Sequence, residues 1–342
     1  MEKLSRIGMD TSKQIFQLHG VAEDERVVVR RKLRRKEVLK VFGQLAPTLV
    51  GLEACGGAHH WARELTRLGH EVKLIPPQYV KPFVKRGKND RIDAEAISEA
   101  ASRPTMRFVP VKGAEAQAEA SVLKIRELVV RQRTQAINAL RGHAAEFGVT
   151  AAKGKGKIGE LTQRVAACPD LPAVMKEMLA FLAEQIDGLD KRIAELDRKV
   201  EAIHRDSAVS QSLAEIPGIG SIAALTATLT IDVKQFKSGR HLAAWIGLTP
   251  KEHSAGGKHR LGGISKQGNE RLRQLLVLGA TAVLKAIRKP GHRWATPWLV
   301  KLTQRKPFRV AAVALANKMA RVIWAMMTTG EVYRQPMPAA AA

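Results

Sequence analysis

Cysteine is nearly absent from this chain. The only two, Cys55 and Cys168, exclude a disulfide scaffold and a four-cysteine zinc site and fit a reducing compartment. The opening run MEKLSRIGMD has no apolar h-region, so no signal peptide is visible. The longest mostly apolar run, Leu275 to Leu284, falls far short of the roughly 18 residues a membrane span needs. Negative charge is also scarce. Against 57 Lys+Arg stand 32 Asp+Glu, a formal net charge of +25 over 342 residues. Solubility needs only about 2–8 charges, so the excess points to nucleic acid. Hydrophobic residues make up 45% of the chain, enough to bury the cores of two or three domains.

The pattern divides into three parts and a tail. Residues 1–112 are expected to be α/β. Short apolar stretches at Arg6 to Asp10, Gln14 to Val21 and Glu25 to Lys32 suit an antiparallel meander, with turn chemistry between them. A helix, a strand at Thr48 to Glu53, a helix at His59 to Leu68 and a strand at Glu71 to Ile75 follow. Three hairpin strands and then alternating helix and strand match a ribonuclease-H-like topology. Residues 113–205 are expected to be helical. Met175, Leu179, Leu182, Ile186, Leu189, Ile193, Leu196, Val200 and Ile203 form a heptad seam, which pairs with the helix at 115–147 or with another copy of the chain. Residues 206–332 form a third, mostly helical part, with helices near 269–288, 294–304 and 308–328. Residues 333–342 form a flexible, low-complexity tail.

Where acids are scarce, their placement carries information. Asp10 ends the first strand, Glu53 ends a later one, and Asp90 and Asp93 share one face at a helix start. Singly, each is as well explained as a turn former or helix cap. Together they can converge on one edge of the sheet, where four carboxylates repel unless divalent cations neutralise them. Hard oxygen ligands suit Mg²⁺ or Mn²⁺, and two such ions activate an attacking oxygen and stabilise a leaving oxygen at a phosphodiester. Lys81, Lys85, Arg86, Lys88 and Arg91 lie close by in sequence and suit a phosphate backbone. His59 and His60 are better explained as helix-surface or packing residues than as ligands, and Cys55 as a buried small residue.

The third part opens on Ile216-Pro-Gly-Ile-Gly before an apolar helix. This is like a helix-hairpin-helix, in which Gly218 and Gly220 let backbone N–H groups approach a DNA phosphate. A plain Pro-Gly turn is the competing explanation. From Lys251 to Lys266 the chain is polar, basic and Gly-rich, as in a functional or mobile loop. Lys251, Lys258, Arg260, Lys266 and, on the next helix, Arg271 and Arg273 are candidate phosphate contacts. Ser254 and Ser265 are the hydroxyls of this loop, and such a serine is more often a hydrogen bonder than a nucleophile.

The runs IGMDTSK, GLEACGG, KNDRIDA, IPGIG and GLTPKEHSAGGKHRLGGISKQGNERLRQLLVLGA, in that order, resemble the DEDD transposases of the IS110 family of insertion sequences, most closely its IS1111 group. The resemblance covers nearly the whole chain. It implies a RuvC-like N-terminal domain, a coiled-coil middle and a C-terminal transposase domain. It implies Asp10, Glu53, Asp90 and Asp93 as a Mg²⁺-binding tetrad. It also implies a serine in the C-terminal loop that attacks DNA and forms a transient phosphoserine link. A structured non-coding guide RNA that pairs with donor and target DNA is implied as well, as are dimers and tetramers with composite sites. The implied location is the bacterial cytoplasm, at the nucleoid. Family members often carry two adjacent hydroxyls before the Gly-Gly. Here Ser254 is followed by Ala255, so a family register on Ser254 gives an intact enzyme and a register on Ala255 an inactive one; Ser254 is favoured as the remaining hydroxyl.

The expected activity is Mg²⁺-dependent strand exchange through Ser254, which conserves bond energy that hydrolysis would dissipate. Two other classes use the same features. A structure-selective nuclease such as a junction resolvase needs the tetrad but takes water as nucleophile. A non-catalytic nucleic-acid-binding protein needs only the basic surface.

Overall fold

The computed structural model describes residues 4–85, 89–289 and 291–334, and the chain forms two compact units, Met1–Gln117 and Ala118–Ala342.

In the first unit β1 (Arg6–Thr11), β2 (Ile15–Val21) and β3 (Val27–Arg34) form the expected meander. Ser12 tightens the first turn, its Oγ accepting the Ile15 N–H at 3.1 Å. Asp24 closes the second by accepting the Arg26 N–H at 3.1 Å. After α1 (Val38–Phe42) come β4 (Leu49–Glu53), α2 (Ala58–Arg67), β5 (Glu71–Ile75), α3 (Pro77–Val80) and α4 (Asp90–Ala101). The sheet order is β3-β2-β1-β4-β5, with β4 parallel to β1 and β5 parallel to β4.

Strand periodicity sends alternate residues of β1 to opposite faces. Ile7 and Met9 go into a core with Phe16, Leu33, Val38, Phe42, Trp61 and Leu65. Gly8 and Asp10 face the other way, as do Gly51 and Glu53 on β4. Helix α4 covers that face. A Cβ on Gly8 would stand 2.1 Å from the Ala94 carbonyl oxygen, and one on Gly51 would stand 2.8 Å from the Ala101 Cβ. The two glycines therefore let α4 rest on the strand backbones themselves.

The second unit has α5 (Ala114–Ala145, its first residues shared with the first unit), α6 (Ile158–Ala167), α7 (Ala173–Asp206), α8 (Ala208–Ala214), α9 (Ser221–Thr230), α10 (Gly239–Ile246), β6 (Pro250–Glu252), β7 (Leu261–Ile264), α11 (Glu270–Ala286), α12 (Pro297–Arg305) and α13 (Phe308–Thr329). The seam of α7 finds a partner within the chain. Leu179, Ile186, Leu189 and Ile193 share a core with Val129, Ala136, Leu140 and Ala144 of α5. Arg133 pairs with Asp190 at 2.7 Å, and Arg126 pairs with Asp197. The partner numbers run in opposite directions, so the two helices are antiparallel.

A second core joins α8 to α13. By length and composition alone, α13 is apolar enough to cross a membrane, which counting the longest unbroken apolar run overlooks. Its Ala311, Ala312, Leu315, Ala316, Met319, Ala320 and Ile323 are buried in this core. The tail from 335 onward lies outside the described residues.

Candidate functional site

Asp10 lies in β1, and Glu53 is the last residue of β4. In the parallel ladder Met9 pairs with Leu52, so the next residues, Asp10 and Glu53, fall side by side. Helix α4 supplies the other two acids. Asn89 starts it, its side chain accepting the Arg91 N–H at 3.0 Å. Asp90 and Asp93 then occupy the first turn, where the positive end of the helix dipole favours carboxylates. Ligand oxygens of Asp10, Asp90 and Asp93 all lie within 4.8 Å of one another. Glu53 stands outside this group, so three of the four expected acids meet at that distance.

The crowding is felt at Asp10. Burial pushes the Asp10 carboxyl from its ordinary 3.8 up to about 6; repulsion from Asp93, Asp90 and Glu53 adds to the shift, and a hydrogen bond from the Thr11 backbone opposes it. Glu53 is raised too, first by burial and then by Asp93, against the attraction of Lys81. Three carboxylates crowded within 4.8 Å, with Asp10 half-buried and held above its ordinary range, fit a divalent cation of the Mg²⁺ or Mn²⁺ kind.

Around the acids, Lys85 is tied to Glu95 at 2.6 Å, while Arg91 is exposed. Arg86 and Lys88 lie outside the described residues. Cys55 corrects an expectation: it is exposed, not buried, because it sits past the strand end with its Sγ 3.2 Å from Thr11 Oγ1. His59 accepts the Lys112 N–H at 3.3 Å and His60 packs against the Trp61 ring; neither belongs to the acidic group.

The segment expected to be a loop is in fact a short hairpin. β6 and β7 pair antiparallel, Ala255 bridges to Lys258, and Gly256 and Gly257 turn the chain at φ +56° and +76°. Its Gly-rich, charged composition hides the strands from periodicity. Ser254 lies in this hairpin, exposed, and its Oγ accepts the Arg260 N–H at 3.2 Å. Lys251, Lys258, Arg260 and Lys266 are exposed with it. Ser265 differs: its Oγ is buried and has no partner among the described residues.

Other candidates have structural duties. Arg273 is buried and donates from Nη1 to the Ile246 and Gln267 carbonyls at 2.7 and 2.6 Å, so its guanidinium points inward at the base of the hairpin. Arg271 lies 3.5 Å from Glu127 and stays partly exposed. Gly218 has φ +86°, and a Cβ there would come within 2.6 Å of the Gly279 carbonyl oxygen, so close packing on α11 requires the glycine. Gly220 is exposed at the start of α9. Beside it the Glu201 carboxylate accepts the Ser221 hydroxyl, placing a negative group where a helix-hairpin-helix holds phosphate.

A five-stranded mixed sheet in this order, with Asp10 near a strand end beside two acids from the start of α4, is consistent with a ribonuclease-H-like transposase domain. The family comparisons agree. Residues 7–148 match the DEDD transposase family of IS110 type, and residues 210–294 match "Transposase IS116/IS110/IS902 family". The chain is 53% identical over 336 residues to "Putative transposase y4pF/y4sB" of Sinorhizobium fredii, covering 98% of this chain and 87% of the relative. It is 49% identical to "Probable family 20 transposase" of Pseudomonas aeruginosa, covering 97% and 99%. To "Transposase for insertion sequence element IS1111A" of Coxiella burnetii it is 40% identical, covering 98% and 92%. The chain belongs to the IS110/IS116/IS902 family of DEDD transposases.

Proposed function

We propose that this chain moves its insertion sequence by strand exchange between donor and target DNA, with Ser254 as nucleophile and Asp10, Glu53, Asp90 and Asp93 as the metal-holding acids. The observation that carries the proposal is the convergence of Asp10, Asp90 and Asp93 within 4.8 Å in a chain whose relatives are transposases. The acids would hold Mg²⁺ or Mn²⁺, which would supply positive charge to the scissile phosphate and make an attacking hydroxyl more acidic. The Ser254 Oγ forms a bond to phosphorus as the bond to one deoxyribose oxygen breaks, and the serine proton passes to that leaving oxygen. A hydroxyl end of the other strand then attacks the phosphoserine, restoring Ser254 and sealing the new junction. One phosphodiester is exchanged for another, so no external energy source is needed. Its hydrogen bond from Arg260 N–H orients the hydroxyl and leaves its proton free to be given up.

The same reading assigns the division of labour: 1–112 holds the acids, 113–205 is a helical coiled-coil region, and 206–332 carries the serine, with the chain acting as dimers and tetramers. Exposed Arg91, Lys251, Lys258 and Arg260 suit phosphate contact, and a structured non-coding RNA serves as guide. The protein works in the cytoplasm, on the nucleoid.

The deciding experiment incubates the purified chain, its element DNA, the RNA that co-purifies and Mg²⁺, and looks for a covalent protein–DNA adduct. Wild type should form one. Ser254→Ala and Asp10→Ala should bind DNA yet form none. Cleavage by Ser254→Ala at the wild-type rate would instead identify a water-dependent nuclease, and unchanged activity of Asp10→Ala a non-catalytic binder.

A further inference from the structure

Apart from the hairpin, the second unit has a basic groove of about 670 Å³, within the range of ligand clefts. It is lined by Ser238, Arg240, Trp298, Lys318, Arg321 and Trp324, among others. Three cations face it and no carboxylate lines it. None of the three makes an ion pair among the described residues, although the unit holds many. Lys318 is half-buried, with its Nζ 4.3 Å from the centre of the Trp298 ring. Burial and then Arg321 push its ammonium below the ordinary lysine range. Arg240 and Arg321 are exposed, and only the half-buried Lys318 is desolvated beside Arg321, a grouping an anion would stabilise.

The backbone adds donors. Helix α10 begins at the groove. Ser238 caps its His241 N–H at 3.4 Å, while the Gly239 and Arg240 N–H groups have no partner among the described residues. Gly239 is fixed there by contact, since a Cβ would stand 2.9 Å from the Arg321 Cα. The aromatic walls are set as well. Trp324 is anchored by its indole N–H to the Phe236 carbonyl at 3.2 Å, and Trp298, 38% exposed, follows Pro297 at the start of α12.

We propose that this groove binds one unpaired nucleotide, with its phosphate among Arg240, Lys318, Arg321 and the α10 N-terminus and its base stacked on the Trp298 face that Lys318 leaves open. Duplex phosphates need only the cations. An exposed indole among them suits a base that has left its stack. The inference rests on the nucleic-acid-directed reading above but not on Ser254 or the acids. The same chemistry occurs in a guide RNA loop and in a frayed DNA end.

The test measures binding of labelled oligo(dT), oligo(rU) and a blunt DNA hairpin to the full chain by anisotropy at several salt concentrations. Trp298→Ala should weaken the single strands about 5- to 150-fold, as stacking losses of 1–3 kcal/mol do, and barely change the hairpin; Trp298→Phe should retain most of the affinity. Arg240→Ala with Arg321→Ala should lower the salt slope for single strands by about 1.4. Loss on oligo(rU) alone assigns the groove to RNA, and loss on oligo(dT) alone to DNA. On the wild-type chain, 5-iodouridine in either strand should photocrosslink to Trp298, a readout independent of whether the variants fold. Equal loss on the hairpin, unchanged affinity in Trp298→Ala, or crosslinking elsewhere overturns the groove while leaving the transposase reading intact. Wild type that binds none of the probes overturns both.

Discussion

Gly8 and Ala94 touch backbone to backbone: a Cβ on the glycine would stand 2.1 Å from the Ala94 carbonyl oxygen. Asp93 precedes Ala94, and Asp10 follows Gly8 by two residues on the same face of β1. The contact therefore holds two of the clustered acids in place. Gly51 and Glu53 repeat the spacing on β4.

Gly8→Ala must push α4 off the sheet, because backbone atoms cannot swing aside. Overpacking of this kind costs roughly 1–3 kcal/mol or more. Urea denaturation should show that loss, and Mn²⁺ titration of the folded variant should show binding weakened at least tenfold. Normal Mn²⁺ affinity in a folded Gly8→Ala would mean that the contact does not position the site.

Asp10 is raised because its charge is both half-buried and repelled. A folded value of about 6 against an ordinary 3.8 means the folded chain holds more protons than the unfolded one between these values. Metal-free stability should thus fall as pH rises through that window. Thermal melts in chelator should show a Tm that climbs from pH 7 to pH 5. Asp10→Asn should be more stable than wild type at pH 7 without divalent metal and should lack this part of the pH dependence.

The two loop serines should separate cleanly. Ser254 is exposed and oriented, whereas the Ser265 Oγ is buried without a partner. Ser265→Ala should keep adduct formation and match or exceed wild-type stability, since an unsatisfied buried hydroxyl costs about 1–3 kcal/mol. Ser254→Ala should lose the adduct with stability unchanged. An adduct in Ser254→Ala would place the nucleophile elsewhere.

Arg273 and Arg271 should part in the opposite sense. Arg273→Ala strips two backbone carbonyls of a charged donor, so a loss of about 1.5–3 kcal/mol in chemical denaturation is expected, with the salt slope of DNA binding unchanged. Arg271→Ala should cost at most about 1 kcal/mol, its contact with Glu127 being long and partly exposed.

Much of this was legible beforehand. The strand Glu71–Ile75 and helices such as Ala114–Ala145 follow from apolar spacing, and the acids stood out against a basic background. What periodicity does not carry was missed. The α7 seam announces a partner without naming it; the Arg133–Asp190 and Arg126–Asp197 pairs do so only in three dimensions. Arg273 looked like surface charge because a basic loop precedes it, yet its face of α11 turns inward. Gly8 and Gly51 stand two residues before Asp10 and Glu53, but that they admit α4 shows only in three dimensions. The β6–β7 hairpin was hidden by glycines that bend the chain and leave no side chains to alternate.

At Gly8 the nearest atoms of α4 are the Ala94 carbonyl oxygen and the Ser98 nitrogen, so backbone meets backbone. The gap between Asp10 and the first turn of α4 is set by peptide atoms common to every residue. Exchanging one aliphatic for another deeper in the sheet should leave the spacing of the acids almost untouched, while a single methyl group at Gly8 shifts it. The acidic cluster is thus insulated from most of its surroundings and exposed to failure at one position.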